Sequence, residues 1–276
     1  MQNYSVQKKV SHGMGILMKV LVSAIFIFPF LWMISLSLQT DQEIARLTFI
    51  PHSPTLENFA RAWKLAPFAK YFRNSIVIII SVIVVQTIVM VPAAYAFAKF
   101  DFRGKGVLFG IILIAFMMPI QVTFIPIYYM MADFGWTNTL LPQIIPSMTN
   151  AFGIFLLRQY FMQVPDELIE AARLDNANEA QVLARIMLPM SKPGISAIAL
   201  LSFIGHWNDY FWPLIMTNSD EVRPIPIGVQ RLKDTEGNDQ WNIIMAGNMF
   251  LVGPILIMYL FCSKYIINSF AYSGIK

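Results

Sequence analysis

Six long stretches with almost no charge recur along this chain, at 20–38, 74–98, 107–131, 140–157, 194–216 and 242–263. Hydrocarbon about 30 Å thick takes roughly 20 apolar residues per helix, so each stretch is long enough to be read as a span. Lipid offers no partner to backbone N–H and C=O groups, which makes the helix the default conformation for all six. Composition agrees where it matters: charged residues are 13% of the chain and hydrophobic ones 57%, against about 25% charged in a soluble domain. The predicted fold is therefore an all-α membrane protein with six transmembrane helices, forming one transmembrane domain over residues 1–276. Little chain is left for a soluble domain.

The first run follows Lys8, Lys9 and Lys19 as the core of a secretory signal would. It is too long, however, and no small-x-small cleavage site follows Leu36-Ser37-Leu38, so it reads as a span. An amino terminus on the inside then puts more Lys and Arg in the cytoplasm than outside, with Lys99, Arg103 and Lys105 packed into one tight inner turn. Both termini and the segment 163–193 are expected to be cytoplasmic. The net charge of +4 is accounted for by basic residues facing anionic inner-leaflet lipid, with no call on nucleic acid. The single cysteine, Cys262, can form no internal disulfide and reads as a small packing residue.

Segment 163–193 is the longest polar interruption with a pattern of its own. Pro165 suits a first helical turn, Asp166 and Glu167 complement the positive end of the dipole, and Leu168, Ile169, Ala171 and Ala172 are expected on one side. The helix should stop near Leu174, because Asp175-Asn176 supplies residues that tolerate a left-handed position after a helix end. Asn178 and Glu179 then start a second short helix, predicted to end before Pro189. On amphipathicity alone such a hairpin could simply lie on the lipid surface.

The spacing points elsewhere. Glu170-Ala171-Ala172, three residues, Asn176, nine residues, then Ile186-x-Leu188-Pro189 resembles the "EAA" loop of ATP-binding-cassette importer permeases, with asparagine where that family usually has glycine. Ala93-Ala94-Tyr95-Ala96-Phe97-Ala98, Met118-Pro119-Ile120-Gln121, Trp207-Asn208-Asp209 and the terminal Ser273-Gly274-Ile275-Lys276 are similar to the carbohydrate-uptake permeases related to the maltose system. The resemblance implies a type I importer permease fold, the smaller six-span partner of a permease heterodimer. It further implies two cytoplasmic ATPase subunits, which would carry ATP and Mg, and an extracytoplasmic sugar-binding protein. On the same grounds Glu170, Ala171, Ala172, Asp175, Asn176, Ile186, Leu188 and Pro189 are expected to couple the spans to the ATPase.

Other candidates rest on residue chemistry. Pro119 and Pro126 fall within a span, where a proline kink serves either packing or a pathway. Asn208 and Asp209 either cap a helix end or line a pathway or gate. Sugar contacts, if this chain makes any, are expected from Gln121, Asn208 and nearby aromatic residues, because hydroxyl-rich ligands need neutral hydrogen-bonding groups and ring faces. His206 has only Asp209 at i+3 and no second histidine nearby, too few ligands for a metal site, and reads as a packing or hydrogen-bonding residue. Gly104-Lys105 is the nearest approach to a phosphate loop, yet lysine occupies position 99 and Gly106 stands where Ser or Thr is needed. No cofactor and no catalysis are expected in this chain. Two competing classes weaken on the same sequence: an ion-coupled transporter normally carries ionisable residues in its spans, and a membrane scaffold gives no reason for the spaced loop.

Overall fold

The computed structural model describes the backbone of residues 2–46, 48–233 and 239–271, and side chains over 13–46, 48–233 and 239–260. Helices follow one another as α1 (Gln2–Ser37), α2 (Asp41–Ala45), α3 (Glu57–Leu65), α4 (Phe68–Lys99), α5 (Lys105–Met117), α6 (Ile120–Asp133), α7 (Leu141–Ile144) and α8 (Ala151–Met162). Then come α9 (Asp166–Leu174), α10 (Glu179–Val182), α11 (Leu188–Met190), α12 (Lys192–Trp207), α13 (Phe211–Met216), α14 (Ile225–Gln230) and α15 (Trp241–Ala271). No strand occurs among the described residues. Cys262 and the motif 273–276 lie outside the residues whose side chains are described.

Three of these helices are long and apolar enough to cross a membrane, taken over Gly13–Ser37, Phe68–Lys99 and Trp241–Leu260, and the number rises to five if each of two bent pairs counts as one span. The run 107–131 is not one straight helix: α5 and α6 meet at a bend of 97°. Proline explains the break, because Pro119 pushes Met118 into extended backbone (φ −74°, ψ 124°) and itself begins α6. Pro126, by contrast, stays inside α6. The run 140–157 divides into α7, with Pro142 in its first turn, a 3₁₀ turn holding Pro146, and α8. At 12 residues, α8 is about 18 Å long, short of the hydrocarbon thickness on its own. The run 194–216 is likewise split, with α12 ending at Trp207 and α13 starting at Phe211.

The chain divides into two compact units, residues 1–67 with 229–253 and residues 68–228 with 254–276. In the first, a polar knot sits beside buried apolar residues such as Ala62, Ile243, Ile244 and Ala246. Asn58 Nδ2 donates to the carbonyls of Ser37 (2.9 Å) and Gln39 (2.8 Å), while Asn242 Nδ2 donates to Asp41 Oδ1 (2.7 Å) and Asn58 Oδ1 (3.1 Å). Both asparagines are buried, so their amides must be satisfied within the protein. Glu43 closes the neighbouring loop: its carboxylate accepts backbone N–H groups of Thr40, His52 and Ser53. Those bonds favour the ionised form, and the group sits near about 2, well below the ordinary carboxylate range.

In the second unit α4 packs against α8 and α12. Small residues let the backbones approach: a Cβ on Gly194 would stand 2.6 Å from the Tyr160 ring. Mid-way along, a polar cluster joins α4, the 3₁₀ turn before α8, and α12. Gln86 donates to the Ser147 carbonyl and accepts from Ser202 Oγ, and His206 Nδ1 donates to the Ser202 carbonyl while its Nε2 accepts from Ser147 Oγ. A carbonyl can only accept, which assigns the proton to Nδ1. Both ring nitrogens of His206 are thus occupied by protein, as the hydrogen-bonding reading of that residue expects.

Candidate functional site

The polar segment folds as a helix, a sharp turn and a second helix, and local chemistry accounts for each step. Pro165 is the N-cap of α9, with Asp166 and Glu167 in the first turn. After Leu174, Asn176 N–H donates to the Arg173 carbonyl (3.0 Å) and Ala177 N–H to the Ala172 carbonyl (2.9 Å). That pair of bonds is the Schellman pattern, in which the residue after the cap is left-handed. Asn176 has φ 60° accordingly, one of two non-glycine residues with positive φ among those described. Asn178 opens the next helix with a reciprocal box, its side chain accepting from Gln181 N–H while the Gln181 side chain accepts from Asn178 N–H, each at 2.9 Å.

Two expectations for this loop need correction. The second helix does not end before Pro189; helical backbone continues from Glu179 to Met190 and then bends by 79° into α12. A wide π turn over Leu183–Met187 accommodates the proline, with Leu188 N–H donating five residues back to Leu183. Nor do the four apolar residues of α9 share one side. Ile169 is buried and Ala172 half-buried, whereas Leu168 and Ala171 are exposed. Ile169 and Ala172 pack with Tyr95, Phe161, Val164, Val182 and Met187, so tertiary packing decides which alanine turns inward.

The remaining motif residues divide along the same line. Ile186 and Leu188 are half-buried against that core and act as anchors. Glu170, Asp175, Asn176 and Pro189 are exposed with Ala171, and Leu174 is 84% exposed. Glu170 borders an open charged cleft of about 400 Å³ shared with Lys99, Asp101, Lys105, Asp166 and Arg173.

Residues not singled out from the sequence as site residues hold the loop in place. Lys99 Nζ, at the end of α4, donates to the Val164 carbonyl and to Asp166 Oδ1, both at 2.6 Å. Glu179 is the second clamp, accepting from Tyr95 Oη (2.6 Å) and from Arg173 Nε (2.9 Å). The Arg173 guanidinium first, and then the Tyr95 hydroxyl, hold the Glu179 carboxyl below its ordinary range. Arg158 Nε donates to the Phe97 carbonyl (3.0 Å) while its guanidinium lies 4.4 Å from the centre of the Phe109 ring. The first helix and the turn are thereby tied rigidly to the end of a long apolar helix.

The broken spans place the other candidates. Pro119 caps α6, and Gln121 lies in its first turn. Gln121 borders a pocket of about 510 Å³ with residues from α6 and α13, among them Phe124 and Trp212. Asn208 and Asp209 are not in its lining. They serve the break itself: Asn208 Nδ2 donates back to the Ile204 carbonyl (2.9 Å), and Asp209 Oδ1 accepts from Trp212 N–H (3.3 Å). Of the four candidates in this region, only Gln121 lines the pocket.

Known proteins show the same organisation. Residues 90–269 match the family described as the binding-protein-dependent transport system inner membrane component. The chain is 32% identical to the arabinooligosaccharides transport system permease protein of Halalkalibacterium halodurans, over 92% of this chain and 93% of the relative. It is 30% identical to the sn-glycerol-3-phosphate transport system permease protein of Brucella abortus, over 95% and 96% of the two chains. A chain in the crystal structure of a bacterial ABC transporter involved in the import of the acidic polysaccharide alginate superposes with a TM-score of 0.81 at 26% identity, covering 91% of this chain and 96% of that one.

Proposed function

This chain belongs to the family of inner membrane components of binding-protein-dependent transport systems, and from that premise we propose that it is the permease subunit of an ATP-driven sugar importer. It forms half of the translocation pathway beside a second permease. An extracytoplasmic binding protein delivers the sugar, and two cytoplasmic ATPase subunits bind ATP and Mg and supply the work. Both termini and the loop 163–193 face the cytoplasm. The chain itself is not an enzyme.

The observation that carries this reading is the clamped helix-turn-helix at 163–193. Its outer side offers Leu168, Ala171 and Leu174 to solvent, an exposed apolar strip on a nine-residue helix. Small and apolar residues flanked by Glu170 and Asp175 suit a groove on a partner, whereas the inner side is already satisfied by Ile169 and Ala172. ATP-driven closure of the ATPase pair would shift α9, and the Lys99 and Glu179 clamps would pass that displacement to α4 as a rigid body. Opening and closing to the two sides is then a bistable equilibrium biased by nucleotide.

Reconstitution with the ATPase and the binding protein tests the reading. Sugar-loaded binding protein should accelerate ATP hydrolysis and drive uptake. Uptake by this chain alone on a proton or sodium gradient would overturn it. A permease for a non-sugar solute is the second reading, favoured by the 30% identity to a glycerol-phosphate system, and it would show as stimulation by a loaded binding protein that carries no saccharide.

A further inference from the structure

The 510 Å³ pocket between α6 and α13 is built from unusual materials for a chain this apolar. Its volume falls within the range of about 300–1,000 Å³ usual for small-molecule sites. Three aromatic rings make a continuous floor: Phe124 lies 5.3 Å from Phe211 and 5.5 Å from Trp212, centre to centre, at interplanar angles of 31° and 29°. Trp212 is fixed by its own indole N–H, which donates to the Pro142 carbonyl at 2.8 Å. Gln121, Ile125, Tyr128 and Tyr129 complete the lining on the α6 side, and Ile215 on the α13 side. Among the described residues their amide and two hydroxyls make no hydrogen bond.

Lipid is a poor occupant of such a surface. An amide and two phenols left without partners in hydrocarbon each carry a desolvation cost, which protein structures avoid by turning such groups to water, protein or ligand. No Lys, Arg, His, Asp or Glu lines the pocket among the described residues. From this chain's lining an anionic ligand would gain no cation to replace its lost hydration. A molecule with a flat apolar C–H face and a rim of neutral hydroxyls matches both parts of the lining, the rings through the face and the amide and phenols through the rim.

We propose that this pocket is a subsite for one ring of a neutral saccharide, and that it disfavours uronates and phosphate esters. The assignment rests on the importer reading above and narrows its substrate class. Gln121 and Tyr129 supply hydrogen bonds, and Phe211, exposed at the break between α12 and α13, supplies the stacking face.

The test uses the complete transporter with its binding protein in proteoliposomes and four labelled probes: arabinotriose, maltotriose, trigalacturonate and glycerol 3-phosphate. A neutral trisaccharide should accumulate, and Phe211→Ala and Tyr129→Ala should each lower its uptake at least tenfold while all subunits still co-purify. Phe211→Tyr, which keeps the ring, should retain most of the uptake. Unchanged uptake in both alanine variants overturns the subsite. Loss of the second permease from both purified variants overturns it too, making this face a permease–permease contact. Accumulation of trigalacturonate or glycerol 3-phosphate with neither neutral probe overturns the substrate class but leaves an importer. Uptake of none of the four removes the sugar-importer reading and the subsite together.

Discussion

Position 176 is where the loop can be tested most sharply, because a single dihedral separates two accounts of it. Asn176 holds φ 60°, and its exposed side chain makes no hydrogen bond among the described residues, so within this chain only its backbone matters. Replacement by glycine removes any Cβ penalty and adds at most the chain-entropy difference of about 0.4–1 kcal/mol. Asn176→Gly should therefore keep uptake within about twofold. Valine is different: a β-branched residue at positive φ is strained by about 1–2 kcal/mol or more. The turn is secured by the Asn176 N–H and Ala177 N–H bonds, which are worth about 1 kcal/mol each. Strain of the same size as the bonds that oppose it leaves the turn poised to open, and 1–2 kcal/mol shifts such an equilibrium by roughly 5- to 30-fold. Asn176→Val should then lose most uptake at matched membrane levels, together with retention of the ATPase subunits on purification. Full activity in Asn176→Val would refute the backbone account. Loss in Asn176→Gly with retention in Asn176→Gln would show instead that the amide itself touches a partner.

Three further outcomes follow from other parts of the molecule. Glu170→Lys, on the exposed side of α9, should uncouple ATP hydrolysis from uptake while the chain inserts normally, since an exposed reversal costs little folding energy but repels or misorients a docked partner; normal coupled uptake would restore the lipid-surface hairpin. Glu43 titrates near about 2 in the folded chain against an ordinary 4.5, and a depressed carboxyl stabilises the state in which it is ionised. Its contribution is complete above about pH 4.5 and is lost as pH falls towards 2, so protease resistance of the 40–53 loop should fall in that window and Glu43→Gln should flatten the dependence. Finally, the proposed topology with both termini inside requires that an impermeant maleimide added outside sealed cells not label Cys262 and that a permeant one do so; external labelling would invert the topology and separate the loop 163–193 from the proposed ATPase.

What the sequence made legible and what it did not can be told apart by range of interaction. The end of α9 at Leu174, the left-handed Asn176 and the Asn178 cap are decided by neighbours within five residues, and residue types alone pointed to them. The clamps at Lys99 and Glu179 were hidden because each joins groups far apart in the chain, Tyr95 to Glu179 and Lys99 to Asp166. Ala171 and Ala172 could not be assigned to opposite faces without knowing where Tyr95 and Met187 stand. The continuation through Pro189 needed a π turn, which has no residue signature strong enough to expect. Broken apolar runs are the most informative of the misses. Pro119 announces its bend, but the break at 208–210 carries no proline and shows itself only through the back-bonding of Asn208 and the acceptance of Trp212 N–H by Asp209. Irregular backbone at membrane depth survives only where protein or a water-filled cavity covers it. Two of the broken runs are interrupted at 118–119 and 208–210, and the helices that begin after them, α6 and α13, supply the residues of one pocket. Sequence hydropathy reads both runs as ordinary spans. Their interruption brings Gln121 and Phe211 into the lining of one pocket.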